Sequence, residues 1–354
     1  MKVVHLHELS SKQIQNSDDW RWLEPDLDAS IDWLHIFNSD FPAIDKWTGH
    51  AGIIRVLMTL VAARKMRGSD LIVTHGIHLA ASVGFVKRIF RIKTQHLAWA
   101  FSVVNPTAIS PLKRWYYRFS LRDVHQFVMF SSIEINTYSE LLNLSESRFR
   151  MLLWSTDRPV VYDQLPPPFE PGYIAAIGGE GRDYSTLFDA LRLLPDVRLV
   201  VVATPASVTG LIPPPNVELL TNMPAVYTFR IAHHSKFMII PTLKGDGPCG
   251  HSTIVFQYLL GKATIVAESE AMTDYVEPGV TALTYQAGNT AALVESIQTL
   301  LTDQTLAKKL SDNGKVFAKQ YCTEEVTVNF VKTYLEDSGL IDSSDSTRLA
   351  QAQS

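Results

Sequence analysis

The sequence of 354 residues contains only two cysteines, Cys249 and Cys322, and no group of cysteines and histidines with the spacing of a metal site. Two cysteines cannot build the disulfide framework on which small secreted domains depend. The chain also has no apolar run of the roughly 18 residues that a membrane-spanning helix needs. Its first residues, MKVVHLHEL, continue directly into polar sequence, unlike a signal peptide. These absences predict a cytoplasmic protein without a bound metal.

Negative charge is nearly missing from one long region. Thirteen Lys or Arg residues lie within 46–122 against a single acid, Asp70, although the net charge of the whole chain is −4. Aromatic residues such as Trp99 and Trp115 are interleaved with these cations. The pattern predicts a surface that binds anionic lipid headgroups or a phosphate-bearing acceptor; cations scattered over a solvated face are the alternative. No nucleic-acid-binding motif accompanies the charge, so we expect no nucleic acid partner.

Apolar runs with the length of strands alternate along the chain with segments of helical periodicity. Runs such as FMIIP at 237–241 are apolar throughout, as expected for a strand covered on both faces of a parallel sheet. The alternation therefore predicts an α/β fold. Three consecutive prolines interrupt it and indicate a stiff linker. We expect a doubly wound Rossmann-like domain at 1–165, a linker at 166–171, a second such domain at 172–337 and a disordered tail at 338–354.

The most distinctive local motif is the strand, loop, helix and strand pattern of Pro241–Ala267. Glycines at 245, 247 and 250 leave backbone amides accessible to a ligand. We expect Ser252 or Thr253 to cap the helix that follows. A helix N-terminus at the carboxyl end of a parallel strand is suited to bind an anion. An ordinary strand-to-helix turn is the alternative.

Three segments in order along the chain resemble retaining nucleotide-sugar glycosyltransferases of the GT-B fold, the large family four. They are IGGEGRDYSTLFDALRLLPDVRLVVVA, GPCGHSTIVFQYLLGKATIVA and DYVEPGVTALTYQAGNTAALVESIQTLLTD, and the likeness covers residues 125–335. The resemblance implies two Rossmann-like domains that face a cleft, with the last helix packing back on the first domain. It implies a metal-independent enzyme that transfers a sugar from a nucleoside diphosphate, UDP rather than GDP, to a glycan or lipid-linked acceptor in polysaccharide biosynthesis. Such an acceptor would place the protein at the inner face of the membrane.

The resemblance also implies roles for individual residues. His96 matches the histidine that follows the fourth strand of the first domain and lies beside the transferred sugar, although a core histidine is the alternative. Arg182 matches a basic residue that contacts the donor diphosphate, although a solvated helix start is the alternative. The implied donor-binding residues are Gly178, Arg182, Asp246, Gly247, Cys249, Gly250, His251, Ser252, Thr253 and Gln257.

At two positions the sequence lacks the carboxylate side chains that are usual in the family. The family holds the donor ribose with one of two spaced glutamates, and these positions fall here on Pro248 and Phe256. Neither side chain accepts a hydrogen bond from a hydroxyl. Asp246 and Gln257 are close enough in sequence to substitute, while we expect Phe256 to pack in the core. The departure keeps open a second hypothesis, a non-catalytic GT-B-like subunit that partners an active glycosyltransferase. A third, a nucleotide-sugar epimerase, lacks a set of acid and base residues.

Overall fold

The computed structural model describes residues 1–8, 31–38, 51–102, 108–157, 165–244 and 249–341. The chain divides into two compact units, of which the first comprises Met1–Leu152 with Thr327–Ser354 and the second comprises Leu153–Val326. The proline-rich segment 165–171 lies within the second unit. Among the described residues, no helix combines the length and the apolarity needed to span a bilayer.

The first unit is built on a six-stranded parallel sheet in the order β2-β1-β3-β4-β5-β6. Its strands are β1 (Lys2–His7), β2 (Asp32–Phe37), β3 (Leu71–His75), β4 (Gln95–Trp99), β5 (Gln126–Met129) and β6 (Phe149–Met151). The helices between them are α1 (Ala51–Arg67), α2 (Gly76–Ile89), α3 (Pro111–Leu121) and α4 (Ile133–Leu142). The alternation predicted from the sequence is confirmed, and α3 is an addition to it.

The two faces of this sheet are covered differently. Val4, Leu6 and Ile72 point to one face, where they pack against Met58 of α1 and Leu79 of α2. Neighbouring residues in a strand point to opposite faces. On the other face, the last helix of the chain, α10 (Glu324–Asp337), contributes Val331 and Leu335 opposite Val3, Val73 and Leu97. As predicted, the last helix returns to the first unit.

The second unit repeats the plan with a parallel sheet in the order β12-β11-β10-β7-β8-β9. Its strands are β7 (Ile174–Ile177), β8 (Leu199–Ala203), β9 (Val217–Thr221), β10 (Met238–Ile240), β11 (Thr264–Ala267) and β12 (Leu283–Tyr285). Its helices are α5 (Tyr184–Arg192), α6 (Ala225–His234), α7 (His251–Leu259), α8 (Thr290–Thr302) and α9 (Gln304–Tyr321). Helices α5 and α8 cover one face, while α6 and α7 pack on the other.

The order of strands decides where the second unit presents ligand-binding loops. From β7 the chain runs outward to β8 and β9, then returns to β10 on the other side of β7. The loops that leave β7 and β10 therefore diverge to opposite faces of the sheet and leave a crevice between them. In open α/β sheets such a reversal, at the carboxyl ends of the strands, is the usual ligand position.

One carboxyl group is buried in the first unit. Glu134, in the first turn of α4, is only 5% exposed. Its Oε1 accepts hydrogen bonds from Ser102 Oγ at 2.8 Å and Tyr138 Oη at 3.0 Å, while Oε2 has no partner. Burial raises the pKa of this carboxyl from 4.5 to about 7, and the two hydrogen bonds oppose the rise. Glu134 is therefore largely protonated in slightly acidic solution.

The raised pKa predicts a specific dependence of stability on pH. The folded state keeps the Glu134 proton up to about pH 7, whereas the unfolded chain loses it near 4.5, so stability falls as pH rises through this interval. Glu134→Gln should therefore raise the free energy of unfolding at pH 8 by up to about 3 kcal/mol and change it much less at pH 5. Urea denaturation at both pH values measures this. Exposed Glu140 on the same helix is the control, and an equal effect of Glu134→Gln at both pH values would contradict the prediction.

Candidate functional site

Two loops meet where the strand order of the second unit reverses. The loop after β7 is joined to the segment after β10 by two backbone hydrogen bonds. The Asp183 amide donates to Pro241 O at 2.6 Å and the Leu243 amide donates to Gly181 O at 2.9 Å, which makes Arg182 and Thr242 an antiparallel bridge. The loop after β7 is therefore fixed by backbone hydrogen bonds.

The side chain of Arg182 is the only guanidinium among the candidate site residues, and it is 7% exposed. Nη1 donates to Glu180 O at 3.1 Å and Nη2 donates to Thr253 Oγ1 at 2.9 Å, so it links the loop to the first turn of α7. Nε has no hydrogen-bond partner. None of the ion pairs within the described ranges includes Arg182. A buried cation without a carboxylate is costly unless an anion joins it.

Gly178 makes room for that guanidinium. The residue follows β7 directly and has φ +148°. A Cβ atom at this position would lie 2.4 Å from Nε of Arg182, far inside van der Waals contact. Gly178 is thus required both by its backbone conformation and by the close approach of Arg182.

The helix start on the opposite side of the crevice differs from our prediction. Gly250, with φ +95°, is the N-cap of α7, and no side chain caps the helix. The expectation that Ser252 or Thr253 caps it is wrong, because both residues lie inside the first turn. The first amides of α7 have no acceptor within the helix, so they and the Ser252 hydroxyl are candidate ligand contacts, whereas the Thr253 hydroxyl binds Arg182.

Cys249 and His251, also predicted as donor-binding residues, have structural partners here. Cys249 Sγ donates to Gly181 O at 3.6 Å, and burial raises the pKa of this thiol, so it stays protonated. His251 is buried, stacks on Tyr275 at 4.4 Å and contacts Ala271 O through Nε2 at 2.9 Å. Both side chains hold the loop and helix in place. Asp246 and Gly247, predicted for the same site, lie outside the described residues.

A cavity of about 260 Å³ opens beside the first turn of α7. Most of its walls are apolar, and two aromatic rings, Phe229 and Phe256, contact each other there with centroids 4.7 Å apart. It is lined by Ile177, Met223, Ala225, Thr228, Phe229, Ala232, Ser252, Thr253, Phe256, Gln257 and Leu260. Apolar walls with a few hydroxyls at one end are typical of pockets for flat organic ligands.

The residues that line the cavity test two predictions about α7. Phe256 was expected to pack in the core, but it is half-buried and its ring forms part of the cavity wall. Gln257 does line the cavity, yet it is only 2% exposed and its Oε1 accepts a hydrogen bond from Thr264 at 3.3 Å. Gln257 is thus mainly bound to the sheet. None of the described residues that line the cavity carries a carboxylate.

No protein-family model and no curated protein matches the sequence. The structure is similar to that of HepE from Anabaena in complex with UDP, with a TM-score of 0.73 and 14% identity over 95% of this chain and 100% of that one. It is also similar to a glycosyltransferase from Rickettsia africae, with a TM-score of 0.73 and 13% identity over 95% and 98% of the two chains. The same holds for sucrose-phosphate synthase from Thermosynechococcus elongatus, with a TM-score of 0.70 and 13% identity over 96% and 100%.

The chain has the GT-B fold. Identities of 13–14% establish the fold alone and leave the activity to be argued from the site. Within this GT-B chain, Gly178, Arg182, Gly250, Ser252 and Thr253 gather around one crevice.

The structure corrects the position assumed for His96. This residue is the second of β4 and does not follow the strand, and its side chain is completely buried. Thr74 Oγ1 lies 2.9 Å from its Nε2, and its backbone amide donates to His125 Nδ1 at 3.1 Å. Burial, with nearby Lys87 and His125, lowers the pKa of the ring well below its usual value. A ring without exposed surface cannot contact a sugar, so the alternative reading, a core histidine, describes His96.

The sequence patterns did not predict a second group of residues, four histidines on the first sheet. His5 and His7 of β1, His35 of β2 and His75 of β3 lie together on one face of the first sheet. The alternating HLH at residues 5–7 was the available signal, because residues two apart in a strand share a face. The spacing rules for metal sites did not find the group, since its members come from three separate strands.

The packing of Arg182 on Gly178 leads to a prediction. Gly178→Ala should displace the guanidinium and weaken the binding of UDP, used as a diphosphate probe, as much as Arg182→Ala does. Loss of charge-assisted hydrogen bonds of this kind costs about 1.5–3 kcal/mol. Calorimetric titration measures both. Gly172→Ala is a matched control, because Gly172 also has a positive φ, +108°, but its Cβ would meet nothing within 4 Å. Unchanged affinity in Gly178→Ala would contradict the role given to this contact.

Proposed function

We propose that the chain is a glycosyltransferase that transfers a sugar from a nucleoside diphosphate to an acceptor hydroxyl. The observation that carries the proposal is the buried guanidinium of Arg182, which has no carboxylate partner among the described residues and faces the N-terminus of α7. A diphosphate placed between them would gain a charge-assisted hydrogen bond from Arg182 and the amides of a helix start.

The cavity next to this anion site suits the nucleoside. Its aromatic rings, Phe229 and Phe256, offer faces for stacking, and the hydroxyl of Thr253, another lining residue, accepts a hydrogen bond from the guanidinium. The structural relative HepE was solved with UDP bound. This supports UDP rather than GDP as the nucleotide.

Arg182 and the amides that begin α7 would neutralise the charge of the leaving group. When the bond between the sugar and the diphosphate breaks, negative charge grows on the departing phosphate oxygen. Arg182 and the amides that begin α7 are positioned to stabilise that charge without Mg²⁺ or Mn²⁺. The acceptor hydroxyl forms the new bond to the sugar, and its proton leaves with the nucleoside diphosphate. Retention of the anomeric configuration is proposed from the resemblance of the three sequence segments alone.

The first unit offers a basic and apolar surface for the acceptor. Trp115 of α3 is 61% exposed and stacks on Phe119 with ring centroids 5.7 Å apart. Phe119 in turn forms one wall of a cavity whose other lining residues include Arg91 and Lys93. Leu112, beside Trp115 on α3, is 76% exposed. Cations next to exposed apolar side chains bind anionic membrane surfaces, so we propose a lipid-linked acceptor at the inner, cytoplasmic face of the membrane and a role in polysaccharide synthesis.

A second candidate function rests on the cavity. Because Phe256 replaces a carboxylate and no described lining residue supplies another, the pocket has lost the usual partner of the ribose hydroxyls. A non-catalytic subunit of an active glycosyltransferase would tolerate this loss. The retained Arg182 and Gly178 favour the enzyme, since a chain without a donor has no use for a costly buried cation.

Nucleotide binding and turnover distinguish the two candidates. The enzyme should bind UDP more tightly than GDP in calorimetry, and Arg182→Ala should remove most of this affinity. It should release UDP from a UDP-sugar with Mg²⁺ and Mn²⁺ omitted, and adding either cation should change the rate little. A chain that binds neither nucleotide would support the non-catalytic subunit. A strict requirement for Mg²⁺ or Mn²⁺ would overturn the role given to Arg182.

Membrane binding of the basic surface is a separate prediction. Each basic side chain near an anionic surface contributes about 1 kcal/mol, so reversing Arg91 and Lys93 to Glu should weaken binding to anionic vesicles more than tenfold. Salt should weaken wild-type binding in the same assay. Sedimentation with neutral and anionic vesicles measures this. Charge reversal at Lys309 and Lys319, exposed on α9 of the second unit, is the control. Equal binding to both vesicle types would rule out the proposed surface.

A further inference from the structure

We propose that His5, His7 and His35 form a binding site for a divalent transition-metal ion, with Zn²⁺ the best match. One ring nitrogen from each residue lies within 4.8 Å of those of the other two. The site is built from the first unit, whereas the donor site belongs to the second, so the proposal stands without the proposed function.

The parallel register explains why these rings meet. His5 of β1 lies beside His35 of β2, and His7 is two residues further along the same face of β1. The end of β3 adds His75, and the His5 and His75 rings stack with centroids 5.0 Å apart. Four of the eleven histidines of the chain thus gather at the carboxyl end of three neighbouring strands. That end of a doubly wound sheet is where ligands bind.

The distances between the rings favour neutral imidazoles over protonated ones. His5 Nε2 lies 2.8 Å from His75 Nε2, and His7 Nε2 lies 2.9 Å from His35 Nδ1. Two ring nitrogens this close cannot both carry a proton, so one nitrogen of each pair is unprotonated and accepts the hydrogen bond of the other; a bound ion would take the place of the shared proton. Neutral imidazole is the form that coordinates metals.

The surroundings restrict which ion fits. Nitrogen ligands select zinc, copper or nickel over magnesium and calcium, which prefer oxygen. His5 and His7 are 1% and 3% exposed, and the Phe37 ring stacks on His7 with centroids 5.0 Å apart, so these two ligands are shielded from solvent. Three imidazoles leave at least one position of a tetrahedral ion open to water or to an oxygen of a bound molecule. His75, at hydrogen-bond distance from His5, would orient that ring.

The test uses full-length protein without an affinity tag, freed of metal with a chelator and dialysed. Calorimetric titration with Zn²⁺ should show one tight site, which His35→Asn should weaken by more than about 100-fold. Because His35 is partly exposed, this change should leave the fold intact, as circular dichroism would show. His75→Asn should weaken binding less, by about 10–100-fold, as expected for a ring that orients a ligand. His233→Asn in the second unit is the control and should change nothing.

Substitution with Co²⁺ identifies the ligands. The visible spectrum should show the bands of a tetrahedral nitrogen and oxygen site and no thiolate band, since Cys249 and Cys322 both lie in the second unit. Absence of a tight Zn²⁺ site would overturn the proposal and leave the four rings as a hydrogen-bonded core. So would an affinity that His35→Asn does not change, or a thiolate band. All these measurements omit nucleotide, so their outcome is independent of the donor experiments.

Discussion

The packing of Arg182 into the space that a side chain at Gly178 would fill determines the geometry of the candidate donor site. The contact fixes a cation at the point where the strand order of the second sheet reverses. One arm of the guanidinium binds Glu180 O and another binds Thr253 Oγ1, so this side chain ties the loop after β7 to the start of α7. No carboxylate among the described residues pairs with the charge, and a bound anion would offset the cost of burying it.

The proposed nucleoside pocket has no carboxylate among its described lining residues. The sequence resemblance implies a glutamate at the position of Phe256, which lines the pocket here, and Gln257 is bound to Thr264. If the pocket takes a nucleoside, as we propose, stacking and apolar contact replace a hydrogen bond to the ribose. Under this proposal the diphosphate, held by Arg182, provides most of the orientation.

Much of this structure follows from local sequence. Strands such as β8, LVVVA, are apolar throughout because helices cover both faces of the sheet. This pattern predicts a buried strand without any knowledge of tertiary contacts. Positions that depend on where an element begins are harder to predict. His96 was placed after β4 but lies within it, and α3 was missed although Ser110 and Pro111 mark its start. The histidine group joins three separate strands, which no local pattern encodes. The contact of Gly178 with Arg182 lies within one loop, but it depends on the backbone conformation at Gly178, which the sequence does not show.

A crystal structure of the chain with UDP would show whether Arg182 binds the diphosphate. We expect the diphosphate against the Arg182 guanidinium and the first amides of α7, with the uracil in the cavity beside Phe229 and Phe256. A diphosphate that makes no contact with Arg182, or a base bound outside this cavity, would contradict this expectation.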